Sequence, residues 1–296
     1  MNSKHAYLIM AHNQFNILCT LLKSIDDERN DIFLHIDKKS KKVPWMQIRK
    51  SVNRATLFFI ERQSVNWGGY SQINCEIRLL ENAKKNRTYE YYHFMCGTEY
   101  PLKDQNYIHD FFRKNAGKEF LEYDEADFDY LKRIKYRYLF NEMGRLTVWN
   151  ILKQIEFFIR NAYITFQKKK GTDLIKRYDY KFKKGNANWS ITDNLATQIL
   201  EKKGEIEKIY RYSYCADEVY LHTLVYNSPF FQEVYRENGK TSNARLTQWD
   251  REDNCYCIDD VEKLMESHAL FARKFIGDEG IIAIDKINQL RNQNFQ

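Results

Sequence analysis

The sequence predicts an α/β fold, a mostly parallel sheet flanked by helices, and three observations predict it. Short apolar runs of buried-strand length recur through the first hundred residues. Helical or polar segments separate them, and parallel strands need such connections because a tight turn cannot join them. Finally, three of the runs stop at His12, at Asp37 and before the segment after Ile60. These points share one edge of the expected sheet, where ligands of such sheets bind.

The elements follow in chain order. Ala6-Tyr-Leu-Ile-Met-Ala11 is a strand ended by His12-Asn13, and Phe15 to Ile25 is a helix. Asp31 to Asp37 is a second strand closing on an acid before the polar turn Lys38-Lys39-Ser40, and Ala55 to Ile60 is a third. Val65-Asn-Trp-Gly-Gly-Tyr70 is a turn, with Ser71 placed to cap a helix over Gln72 to Ala83. Its Trp67 is either a buried ring or a ring stacked on a flat base, with Gly68 and Gly69 allowing close backbone approach. Tyr91 to Cys96 is a fourth strand, Ile108 to Lys114 a helix, and Glu119 to Tyr123 a further strand.

The pattern then changes, to acids over 124–129 and bases over 132–137. A long helix spans Val148 to Phe166, with Ile151, Leu152, Ile155, Ile159, Ala162 and Phe166 on one face and Phe157, Phe158 and Ile164 widening it. Lys153, Glu156 and Arg160 exclude a membrane span. A core or lid helix is the usual form of this pattern, and a helix lying in an anionic membrane surface is the other. Gly185 to Ile191 returns to strand character, and Thr192-Asp193 caps a helix over Asn194 to Lys203. In Arg211-Tyr-Ser-Tyr-Cys-Ala-Asp-Glu-Val-Tyr220 a strand-like run becomes an amphipathic helix with two carboxylates in its first turn. Neighbours on a helix do not face each other, so Asp217 is expected to cap and Glu218 to point into a site, with His222 nearby. From these ten residues alone, both also read as ordinary first-turn acids. Arg245 to Trp249 is strand-like, and Val261 to Met265 is a helix leading to Ser267 to Phe275.

Composition bounds the function. Apolar content of 43% and aromatic content of 15% exclude a disordered chain, and with 3 prolines and no Ser/Gly-rich stretch no linker divides it. The net charge of +7 suits nucleic acid, an anionic membrane or a phosphate-bearing substrate. Nucleic acid is set aside, because the basic cluster from Lys168 to Lys184 carries only Tyr178, Tyr180 and Phe182 as stacking residues and no recognition motif. Neither a dinucleotide fingerprint nor a phosphate loop of the usual glycine pattern occurs. Six scattered cysteines, with Cys255-Tyr-Cys257 the one close pair, read as thiols of a reducing cytoplasm and not as a zinc site. The first apolar run is too short for an export signal, so a cytoplasmic protein is expected, with possible peripheral contact at the inner face of the cell membrane.

Taken in order, these segments resemble the core-2/I-branching β-1,6-N-acetylglucosaminyltransferase family, which also contains peptide xylosyltransferases. The resemblance is carried by Ala6 to Asn13, Phe33 to Ser40, Ser64 to Ser71, Cys96 to Lys103, Gly185 to Thr192, Ala216 to Leu224 and His268 to Phe275, and is weakest from Glu125 to Lys184. It implies a GT-A-like, Rossmann-type single domain with an acceptor-side helical insertion. Residues 1–123 would bind the nucleotide sugar, 124–184 would form the variable acceptor and membrane side, and 185–296 would hold the catalytic and diphosphate-binding half. The activity implied is inverting transfer of a sugar, GlcNAc foremost, from a UDP-sugar to a glycan or lipid-linked acceptor in surface polysaccharide or glycoconjugate synthesis.

The family's catalytic base falls on Glu218, and the cations for the leaving diphosphate fall on Lys274 and Arg251. His12, Asp37 and Trp67 fall at the nucleotide. Glu99, Trp189 and Trp249 are read as acceptor-binding, Trp249 matching an aromatic position near the acceptor sugar. No cofactor or divalent metal is expected. The counter-argument is Asp127-Phe-Asp129, an Asp-x-Asp that could hold Mg²⁺ or Mn²⁺ through substrate phosphates. A non-catalytic sugar- or membrane-binding module is the alternative in which Glu218 has no chemical role.

Overall fold

The computed structural model describes residues 4–124, 129–143, 151–249, 252 and 254–293. The first half builds the sheet: β1 (His5–Ala11), α1 (Phe15–Ser24), β2 (Asn30–Ile36), α2 (Trp45–Lys50), β3 (Thr56–Phe59), α3 (Tyr70–Asn86) and β4 (Tyr91–Cys96). The chain then runs through β5 (Glu99–Pro101), α4 (Gln105–Lys114), α5 (Lys132–Lys135) and α6 (Ile151–Lys169). After these come β6 (Trp189–Thr192), α7 (Asp193–Glu201), α8 (Lys203–Tyr210) and α9 (Tyr220–Tyr226). A hairpin of β7 (Arg236–Glu237) and β8 (Lys240–Thr241) precedes β9 (Arg245–Thr247), α10 (Val261–Glu266), β10 (Phe271–Arg273) and α11 (Gly277–Gln293).

The main sheet has the order β3-β2-β1-β4-β6, parallel throughout except for β6, which runs antiparallel to β4. This is the mostly parallel α/β sheet expected. Alternating side chains divide its two faces between two cores. Tyr7, Ile9 and Ala11 of β1 pack with α1, α4 and α11, while Ala6 and Leu8 pack with α3, α7 and α9. Both faces are covered, which is why Ala6 to Ala11 of β1 and Ile32 to Leu34 of β2 read as apolar runs without alternation. The chain leaves β1 for β2 on one side and returns to β4 on the other, so a crevice opens beyond the ends of β1 and β4. There the backbones cross closely, and a Cβ on Gly97 would lie 2.8 Å from that of Ala11.

Four local expectations are corrected. Ser71 does not cap α3; its hydroxyl accepts the Asn66 N–H at 2.8 Å and closes the preceding turn, while Gly69 holds the N-cap position. Glu119 to Tyr123 forms isolated bridges to Val234, Ser190 and Gly185 instead of a strand, because it crosses between elements. The long helix runs on to Lys169, three residues past Phe166, and its expected start at Val148 lies outside the described residues. The two carboxylates sit in a 3₁₀ turn, Ala216–Glu218, before α9 and not inside its first turn. Among the described residues, no helix is long and apolar enough to cross a membrane.

A small second sheet, β5-β10-β9, stands at the crevice end. In it β10 lies antiparallel to β5, which sets Arg273 opposite Glu99, and parallel to β9, which sets Arg273 beside Thr247.

Candidate active site

The site is built around the turn that carries Asp217 and Glu218. Val219 and Tyr220 are fully buried, and the Tyr220 hydroxyl donates to the Glu76 carboxylate at 2.7 Å in the core. Driving those two side chains inward bends the chain tightly just before them. Cys215 takes a left-handed conformation to enter the turn, and its N–H donates to Gly68 O at 2.8 Å. The bend holds both carboxylates half-buried on the crevice side. Asp217 does not cap α9; its Oδ2 accepts the Gln72 side-chain amide at 3.0 Å. Burial, and after it the charge of Glu218, pushes the Asp217 carboxyl up to about 6. Glu218 Oε2 receives Arg133 Nη1 at 2.6 Å and lies 3.5 Å from Lys184 Nζ, which also meets Asp124 at 2.6 Å.

His222 is not part of this constellation. It is fully buried, and the backbone of Glu122 is the polar group beside its ring. The ring packs edge-on to Tyr123, and a Cβ on Gly185 would lie 2.2 Å from its Nε2. Burial pushes the imidazole down to about 3, so it is a neutral packing group. Gly185 is needed for that approach, and its N–H donates to Glu218 O at 2.9 Å.

The glycine turn is joined to the carboxylate turn. Gly68 has a φ of +78°, and a Cβ there would lie 2.8 Å from the Tyr214 ring and 3.1 Å from Cys215 Sγ. Its N–H donates to the side chain of Gln72, whose amide in turn reaches Asp217. Trp67, 46% exposed, stands edge-on to Tyr214 at 5.7 Å. The end of β2 is tied to the same turn: Lys39 donates to Val65 O and Asn66 Oδ1, each at 2.7 Å, and its ammonium is 3.6 Å from Asp37. Asp37 is buried and accepts the Lys39 N–H at 2.8 Å. The His12 carbonyl accepts Ser40 Oγ at 2.6 Å, and the His12 side chain is exposed. His12, Asp37, Trp67, Asp217 and Glu218 are thus linked at one end of the sheet.

The opposite wall is the end of β10. Lys274 follows it, half-buried, with its carbonyl accepting the Tyr256 N–H at 2.9 Å. Arg273 has no hydrogen bond to its buried Nε. Cys96 first, then Glu99, Glu218 and Asp217, raise the guanidinium pKa and favour its charged form. Gln248 N–H donates to Arg273 O at 3.0 Å, which brings Trp249, 68% exposed, to the same rim.

Two expected acceptor residues lie elsewhere. Glu99 is completely buried; its Oε1 accepts Arg245 Nε at 2.8 Å and its Oε2 accepts the Asn188 amide. Trp189 is in the core, stacked on Phe94 at 5.4 Å with its indole N–H directed to Glu76 at 3.4 Å. Both point inward because β5 and β6 are covered on the faces that carry them, so neither presents a surface to an acceptor. Of the Asp-x-Asp pair, Asp127 lies outside the described residues, as does Arg251. The Asp129 carboxylate is 3.6 Å from Lys132. No group of three or more metal-ligating side chains occurs among the described residues.

Gln72, Arg133, Lys184 and Arg273 went unread in the sequence. Arg133 and Lys184 belong to basic runs that resemble solvated surface. The adjacency of Arg273 to Lys274, flanked by the buried Phe271 and Phe275, was the available signal for the third cation.

The sequence matches the family described as "Branch: Core-2/I-Branching enzyme" over residues 5–269. Xylosyltransferase 2 of Rattus norvegicus is 22% identical over 266 residues, 85% of this chain and 27% of that protein. Xylosyltransferase sqv-6 of Caenorhabditis elegans is 22% identical over 304 residues, 92% of this chain and 34% of that protein. The chain therefore spans about a quarter to a third of the length of these curated relatives. Among solved structures, mouse xyloside xylosyltransferase 1 in its apo form is similar at a TM-score of 0.38 and 10% identity, covering 91% of this chain and 96% of that one. Core-mannan synthase A of Aspergillus fumigatus is similar at a TM-score of 0.39 and 12% identity, covering 82% and 71%.

Proposed function

Because this chain belongs to the core-2/I-branching enzyme family, we propose that it is an inverting glycosyltransferase acting from a UDP-sugar on a glycan hydroxyl. The observation that carries the reading is Glu218: a half-buried carboxylate on a tight turn, with two cations addressing one of its oxygens. Arg133 and Lys184 both approach Oε2, which leaves Oε1 to receive a proton. In the proposed step the acceptor hydroxyl attacks the anomeric carbon and its proton passes to Glu218. The bond from that carbon to the diphosphate breaks, and UDP leaves with the electron pair. One carboxylate suffices for inversion, unlike the paired carboxylates of a retaining glycosidase.

Charge accumulates on the departing diphosphate, and Arg273 and Lys274 are the cations proposed to meet it, with Arg251. Fixed charge of this kind is worth about 3–4 kcal/mol per contact. With these cations present no divalent metal is required, and the pairing of Asp129 with Lys132 supports that reading. Trp67, His12 and Asp37 are assigned to the nucleoside and Trp249 to the acceptor. UDP-GlcNAc is the proposed donor, UDP-xylose the alternative that the xylosyltransferase relatives suggest, and a surface polysaccharide or glycoconjugate the product. The proposed compartment is the cytoplasm, in keeping with cysteines that form no disulfide.

The test is Glu218→Gln, assayed by UDP release with acceptor and by calorimetric UDP binding. Transfer is expected to fall at least ~100-fold with UDP affinity retained. Near wild-type transfer by the variant would overturn the assignment.

A further inference from the structure

Helix α6 is inside out. Glu156 and Gln167 are buried and Arg160 and Tyr163 half-buried, at spacings of four, seven and eleven residues, so a polar stripe faces the protein. The Gln167 amide bonds both backbone groups of Arg137, accepting its N–H and donating to its carbonyl, each at 2.9 Å. Arg160 lies 5.9 Å over the Tyr214 ring. The opposite stripe, Ile155, Phe158, Ile159, Ala162 and Phe166, is exposed along its length, with Phe158 at 73%. A soluble surface has no use for such a stripe, since contiguous exposed apolar area marks an interaction site.

Charge says what covers it. From residue 154 to 170 the one carboxylate is Glu156, and it is buried on the inner side. Lys168, Lys169 and Lys170 are exposed at the end of the helix, with the Lys170 ammonium 4.6 Å over the ring of the exposed Phe166. A face that is aromatic and aliphatic along its middle, cationic at its end and free of exposed anions complements the headgroup and acyl boundary of an anionic bilayer. We propose that the outer face of α6 docks this protein in the plane of an anionic membrane. Through Tyr214, which meets both Arg160 and Trp67, the docked helix would lie beside the mouth of the site. The docking itself does not depend on the reaction assigned above.

The experiment is flotation of the full chain with vesicles of phosphatidylcholine alone and of phosphatidylcholine with phosphatidylglycerol, at low and high salt. Binding is expected to the anionic vesicles only, and to weaken as salt rises. Changing Lys168, Lys169 and Lys170 together to Ala should lower the partition coefficient about 100-fold, from roughly a factor of five per lysine. Phe158→Asp should abolish flotation while leaving the melting temperature unchanged, because that ring contributes little to the fold. Absence of flotation with anionic vesicles overturns the proposal, as does wild-type flotation by Phe158→Asp. A concentration-dependent dimer that Phe158→Asp dissolves would assign the stripe to a second copy and overturn it too. None of these readouts involves sugar transfer, so their failure is separable from failure of the enzymatic reading.

Discussion

Glu99→Gln separates a structural carboxylate from an acceptor-binding one. Both Glu99 and Arg245 are withdrawn from water, and the guanidinium also donates to Asn243 O at 2.8 Å, Trp189 O at 3.1 Å and Ser190 Oγ at 3.0 Å. Glutamine keeps the shape but removes the negative charge paired with a buried cation. It also risks setting its own amide donor against that of Asn188, which now donates to Oε2. Removing one partner of a buried pair costs about 3–5 kcal/mol, because the other charge stays buried and uncompensated. For a domain of this size about 2 °C is lost per kcal/mol, so the melting temperature should fall by about 6–10 °C. The paired variant Glu99→Leu with Arg245→Met removes both charges and should recover much of the loss. The assays are thermal unfolding by near-ultraviolet circular dichroism and KM for the acceptor. An unchanged melting temperature with a raised acceptor KM would refute the reasoning and restore Glu99 to the acceptor site.

Further predictions follow from the same geometry. Gly68→Ala forces a side chain into a left-handed position and against Tyr214, so about 1–2 kcal/mol of strain should appear as a lower urea midpoint, with transfer impaired by displacement of the Asp217–Glu218 turn. An unchanged midpoint and rate would show the two turns to be independent. Acid should destabilise the fold. Burial holds His35 at about 4 and His109 and His222 at about 3, below their ordinary 6.5, so their contributions are complete above 6.5 and are lost as pH falls. Glu119, raised to about 7, and Asp217, raised to about 6, act oppositely, gaining as pH falls towards their ordinary values of 4.5 and 3.8. His5, His12 and His93 are lowered as well, against Glu76 and Glu122 raised, so the histidines outnumber the opposing carboxylates and stability should fall as pH drops below about 6.5. A urea midpoint that rises from pH 6.5 to pH 5 would contradict this balance. Transfer should keep its full initial rate in excess EDTA and be lost in Lys274→Ala; loss in EDTA with recovery on Mn²⁺, and no recovery in Asp129→Asn, would move the diphosphate site to the acidic segment.

Much of the fold was legible because burial on both faces leaves a one-dimensional trace. Tyr7 to Ala11 and Ile32 to Leu34 had to be apolar to lie between two cores, and such runs separated by long connections admit little but a parallel sheet. The turns that carry the site were legible for a similar reason: Gly68 occupies a conformation other residues resist, and Asp217-Glu218 breaks an otherwise apolar stretch. What the tertiary structure alone decided was the direction in which polar and apolar groups point. β6 carries the same strand pattern whether it runs parallel or antiparallel to β4, and burial of both its faces, with Trp189 opposite Phe94, puts the indole in the core. Glu99 looks like any loop acid until Arg245, 146 residues away, is brought against it. Arg133 and Lys184 gain meaning only when separate loops converge on Glu218. In α6 the 3.6-residue period revealed two faces correctly and could not say which one the protein would cover. Periodicity records how side chains are arranged around one element, whereas the side that meets solvent is set by contacts between elements distant in sequence.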